Sequence, residues 1–161
     1  MRFEYRVDAE RVLQAFEQSG PIMSANLRVG LDRAAMHMVD AARDELRAND
    51  SVSMSTLLQS IAYERAGTFE RDVSPNTDYA VYLEKGTGPG YYPPTYAIAA
   101  WLRTRGGAKD AVFRVKRHIH QHGTKAHPFW EPAFNKAESE MQNIINRYVE
   151  RGVSRAFGGL A

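Results

Sequence analysis

The 161 residues contain no cysteine, which removes disulfide frameworks, thiolate nucleophiles and zinc–sulfur sites from consideration. No apolar run approaches the roughly 20 residues of a membrane span. The opening Met1-Arg2-Phe3-Glu4-Tyr5-Arg6 lacks the apolar core of a signal peptide. A soluble product made in a cytoplasm, with no membrane partner, is expected. The net charge of +2 is too small to argue for a nucleic-acid partner by itself. No Gly-x-Ser-x-Gly elbow presents a nucleophile. The acids are spread along helices, not gathered as a pair. No enzymatic activity and no cofactor are therefore expected.

What is present reads as one ordinary globular domain, 43% hydrophobic and 25% charged. A chain of this size buries roughly 70% of its unfolded surface, enough to fold without covalent staples. It is organised around residues 78–90, Asp-Tyr-Ala-Val-Tyr-Leu-Glu-Lys-Gly-Thr-Gly-Pro-Gly. After Asp78, a half-apolar run with Tyr79, Tyr82 and one acid, Glu84, breaks into Gly86, Gly88 and Gly90. Glycine admits positive φ and Pro89 fixes φ between two glycines, so a tight, shaped loop is expected. It is not a phosphate cradle, because Lys85 precedes the glycines and no apolar helix follows them. The loop instead pins Tyr79, Tyr82 and Leu83 onto the core, with Glu84 accepting backbone N–H groups.

In chain order, residues 2–7 alternate as a half-buried strand and Asp8 opens a short helix ended by Gly20. Pro21 suits the first turn of a long helix to about Leu46, with Leu27, Leu31, Ala35, Met38, Ala42 and Leu46 on one face. On its other face, Arg28 with Asp32 and Asp40 with Arg43 have ion-pair spacing. Met36, His37 and Met38 read as packing plus a boundary histidine. Ser53 caps a turn through Leu57 and Leu58, and residues 61–65 and 69–73 form a hairpin. Tyr91-Tyr92-Pro93-Pro94 makes a stiff elbow before a helix over 95–105, and Asp110 caps another ending at Gly123. Pro128 and Pro132 bracket Phe129-Trp130-Glu131, ahead of a last helix running past Tyr148. The core is expected over about 21–150, with residues 152–161 a frayed, glycine-rich tail.

Residues 114–127 carry Arg114, Lys116, Arg117, Lys125 and four histidines, but no acid. The first reading is a solvated helix face. A phosphate-facing patch is the functional alternative, which would make the protein a small DNA-binding accessory. The aromatic stacking of a single-strand binder is not expected around it. His118 and His122 have the i, i+4 spacing of zinc ligands, yet the intervening glutamate of a metalloprotease is missing. No metal site is expected.

The order of these elements says more than any one of them. Tyr79-Ala80-x-Tyr82-x-Glu84-x-Gly86-Thr87, the Trp101-Leu102 helix and then Pro128-Phe129-x-x-Pro132-Ala133 stand between two long helices. This resembles the neck and tail-completion proteins of tailed bacteriophages, the group that includes minor tail proteins of the Z type. The resemblance spans roughly residues 25–150; Trp130 departs from it, standing where a smaller aliphatic residue is common.

It implies an α+β fold, a small antiparallel β-sheet packed against a long N-terminal helix and a long C-terminal helix. It further implies a structural subunit of the head–tail junction, assembled in the host cytoplasm and located in the virion. The implied partners are copies of itself in a ring, head-completion or connector proteins, and tail-terminator or tail-tube proteins. Non-specific contact with genomic DNA through residues 114–125 is the remaining partner expectation. Tyr79, Tyr82, Glu84, Gly86, Thr87, Gly88, Tyr91, Tyr92, Pro128, Phe129, Trp130 and Pro132 are the expected interface and loop residues. Tyr92 and Trp130 are the anticipated anchors for a neighbouring subunit.

Overall fold

The computed structural model describes residues 20–49, 55–77, 79–104, 106–107 and 110–157. The strand and short helix expected before Gly20, and the Ser53 cap, lie outside the described residues. Helix α1 (Pro21–Ala48) opens with its proline in the first turn, where the missing N–H has no intrahelical partner to lose. Six residues of α2 (Ser55–Ser60) lead into a hairpin, β1 (Ile61–Gly67) and β2 (Glu70–Pro75). Three further helices, α3 (Ala80–Lys85), α4 (Thr95–Thr104) and α5 (Ala111–His122), precede α6 (Trp130–Phe157). The fold is α+β, with a two-stranded antiparallel sheet beside two long helices that pack on each other.

Helices α1 and α6 run antiparallel and bury their apolar faces together. All six residues expected on the α1 stripe are buried, and Ala137, Met141 and Ile145 of α6 meet them. Two glycines let the backbones approach. A Cβ on Gly30 would stand 2.8 Å from Tyr148 Cβ, and one on Gly152 would stand 3.3 Å from Met23 Cα. Gly152 therefore corrects the expectation of a frayed tail: it is a buried contact inside a helix that continues to Phe157. Ile61, Val73, Leu57, Ala80 and Phe129 complete the core at the hairpin end.

The hairpin pairs Ile61 with Pro75 and Tyr63 with Val73, and its register slips between Glu64 and Gly67. It is fastened to α1 by arginines. Arg43 donates to the carbonyls of Leu58 (3.0 Å) and Ile61 (2.9 Å). Arg71, buried on β2, donates to Asp32 and to the carbonyls of Gly67, Glu70 and Arg28. Asp32 also accepts two bonds from Arg65. The expected Arg28–Asp32 pairing is thus replaced by a cross-brace to the hairpin, whereas Asp40 and Arg43 do approach to 3.9 Å. Met38 lies in the core and Met36 on the surface.

Candidate functional site

The loop after α3 meets the loop after α5, and the encounter begins with two glycines. Gly86 has φ +72° and Gly123 has φ +75°. At Gly86 a Cβ would overlap Thr124 O and stand 2.9 Å from Ala126 N; at Gly123 it would overlap Thr87 O. Each glycine thus serves both a positive φ and a backbone approach that only hydrogen permits. Between them Thr87 and Thr124 form an isolated antiparallel bridge, Thr87 N to Thr124 O at 3.1 Å and Thr124 N to Thr87 O at 3.0 Å. Their hydroxyls lie 3.0 Å apart. His127 N donates to Leu83 O and Gly90 N to His120 O, each at 2.8 Å, so the two loops are zipped over their length.

Glu84 sits at the centre of this junction. Its Oε2 accepts from Phe129 N (2.8 Å) and Trp130 N (2.9 Å), and its Oε1 accepts from Glu131 N (3.2 Å). These amides open α6, where a helix has N–H groups without intrahelical acceptors and a partial positive charge. Pro132 falls in the same first turn and has no N–H to satisfy. A carboxylate donated by α3 therefore caps α6, the amide-accepting role expected of Glu84. Asn49 Nδ2 binds Pro128 O at 2.8 Å and ties the end of α1 to the same corner.

Several expected interface residues are placed differently. Phe129 is fully enclosed and Trp130 is 7% exposed, so both belong to this domain's own core and not to a docking surface. The prolines that suggested an exposed loop instead mark a helix start, which seats Trp130 against the core. Tyr79 and Tyr82 are half-exposed, and Ala80 and Leu83 are the residues of α3 that pack on the core. Gly88 is exposed with open space around it. Pro93 of the elbow is buried, while Tyr92 is 55% exposed.

The basic segment has aromatic company after all. Tyr92 packs on His120 with centroids 4.8 Å apart, and Lys116 Nζ lies 5.0 Å from the Tyr92 ring. Lys116 is held there by Thr95 Oγ1 at 2.7 Å. Tyr82 and Tyr91 pack at 4.9 Å. Burial raises the Tyr91 pKa above the ordinary tyrosine value, and Tyr82 and Tyr96 beside it add to that shift. Arg114, Arg117 and Lys125 are exposed. His118 and His122 stack at 4.5 Å, and among the described residues no three metal-binding side chains converge there or elsewhere. Sequence reasoning missed the partners Gly123 and Thr124, although the repeated Gly-Thr dipeptide at 86–87 and 123–124 was a usable signal.

Among the described residues no helix is long and apolar enough to cross a membrane. Comparison with protein-family models, curated proteins and solved structures finds no significant match for this chain.

Proposed function

We propose that this protein is a structural subunit of the tailed-bacteriophage head–tail junction, a neck or tail-completion protein that helps join the tail tube to the head connector. One observation carries the reading. The two sequence elements that resemble that family, 79–87 and 128–133, bind each other through the three Glu84–amide bonds. Glu84 of one element and the 129–131 amides of the other thus form one mechanical joint. The Glu84 carboxylate is occupied by backbone donors, which suits a scaffold better than acid–base chemistry.

Assembly needs a surface, and α1 offers one. Ile22, Val29 and Met36 are spaced by seven residues, share one helix face and are about half exposed. Such a row is a natural contact for a neighbouring copy. A head-to-tail contact that closes makes a ring of identical subunits. In this reading the ring lies between head-completion or connector proteins and the tail-terminator or tail-tube proteins. The subunit assembles in the host cytoplasm and ends in the virion.

The test is a phage lysate in which Ile22→Ser, Val29→Ser, Met36→Ser is the sole copy, with the variant's fold checked by thermal melting. Expected are a folded protein and separate heads and tails, against joined particles containing the wild-type subunit. Normal joined particles from the folded variant, or a wild-type subunit absent from particles by mass spectrometry, would sink the reading.

A further inference from the structure

We infer that the outward face of α5, together with the tyrosines of the 91–96 elbow, binds a polynucleotide whose bases are unpaired. The inference stands on the packing of α5 and does not depend on the junction role. Phe113, Lys116, Arg117 and His120 recur at i, i+3, i+4 and i+7, so they share one helix face. Val112 is buried on the other side. Phe113 is 73% exposed and Tyr96, near the start of α4, is 77% exposed. Both rings are open to solvent, as stacking on a base requires.

Several cations elsewhere on the molecule are paired with acids. Arg43, Arg47, Arg65, Arg71, Lys136 and Arg147 each meet an aspartate or glutamate. Residues 111–127 contain no acid, and among the described residues Arg114, Arg117 and Lys125 have no acidic partner. Cations without counter-ions attract any polyanion; bare rings attract any flat or apolar group. Their combination suits a chain that alternates phosphates with flat bases. A duplex engages the cations but hides its base faces. An acidic peptide engages the cations and has no faces to stack. The platform is also assembled in advance, because Thr95 holds Lys116 over Tyr92 and Tyr92 rests on His120. Little side-chain order is then lost on binding.

The test is fluorescence anisotropy with a labelled oligothymidine of about 20 nucleotides, a duplex of equal length and polyglutamate, each over a salt series. The oligothymidine is expected to bind with an affinity that falls with salt, at least tenfold more tightly than the duplex or polyglutamate. Tyr96→Ala with Phe113→Ser should weaken oligothymidine binding about tenfold or more while keeping its salt slope. Arg114→Ala with Arg117→Ala should lower that slope by about 1.4, at roughly 0.7 per phosphate contact on a single strand. All four side chains are exposed, and matching melting curves would confirm intact folds. Salt-insensitive or absent binding, equal binding of duplex or polyglutamate, or full affinity in the ring variant would overturn the inference. None of these readouts measures particle joining, so the junction role fails or survives separately.

Discussion

Glu84 holds Trp130 by its backbone: the carboxylate Oε2 accepts the Trp130 amide at 2.9 Å and the Phe129 amide at 2.8 Å. Removing the carboxylate strands amides that are already out of water. Glu84→Ala should therefore destabilise the protein by about 3 kcal/mol, the range for hydrogen bonds to a charged group plus unsatisfied donors. Glu84→Gln keeps an acceptor but loses the charge at the helix terminus, and should cost about 1–2 kcal/mol. Urea denaturation followed by circular dichroism checks both; equal stability of all three proteins would show that the cap is not structural.

The glycines at the loop junction should be intolerant in a graded way. Gly86→Val and Gly123→Ala each place a Cβ into backbone at positive φ, and each should cost at least about 2 kcal/mol. Gly88→Ala, in the same loop with open space around it, should shift the melting temperature little. Comparing the three melting curves separates backbone fit from general loop disturbance.

Asp32 gives the protein an acid-sensitive brace. Burial by itself raises its pKa, but hydrogen bonds and charge from Arg65 and Arg71 outweigh that and hold it below the ordinary carboxylate value. A depressed carboxylate pKa contributes stability above the unfolded value of about 3.9, and that stability is lost as pH falls through the folded value. Unfolding free energy measured from pH 7 down to pH 2 should therefore decline through and below pH 4. Asp32→Asn should remove about 2 kcal/mol at pH 7 and flatten that decline. The loss falls below the ~3–5 kcal/mol of a fully buried broken pair, because Arg71 keeps three carbonyl acceptors. An unchanged acid limb in the variant would assign the decline to other groups.

What the sequence revealed was local. The α1 stripe from Leu27 to Leu46 followed from periodicity, and Pro21 located its start. Glu84 was identifiable because a lone acid beside a glycine-rich loop has few acceptor roles other than amides. The pairing of Thr87 with Thr124 was missed, since no periodicity links positions 37 apart and the repeated Gly-Thr dipeptide was its one mark. Trp130 misled for a different reason: flanking prolines signal either a loop or a helix start, and only the amides that Glu84 caps decide between them. Gly152 was counted into a frayed tail when its role is to admit Met23 and Asn26. Asp32 had a suitable neighbour in Arg28, yet the hairpin supplied two stronger ones from 33 and 39 residues away.

The pairing of α1 with α6 has a consequence during synthesis. Helix α1 leaves the ribosome with Leu27, Leu31, Met38 and Leu46 exposed, and the face they bury against is not made until Trp130 and beyond. At roughly 5–20 residues per second, translating from Ala48 to Trp130 takes about 4–16 s. The hairpin can close on α1 in that interval, and the braces from Arg43 and Arg71 then hold a half-built nascent chain together. Completion awaits the last helix, so the part of the α1 stripe that it covers stays bare on every nascent chain until then.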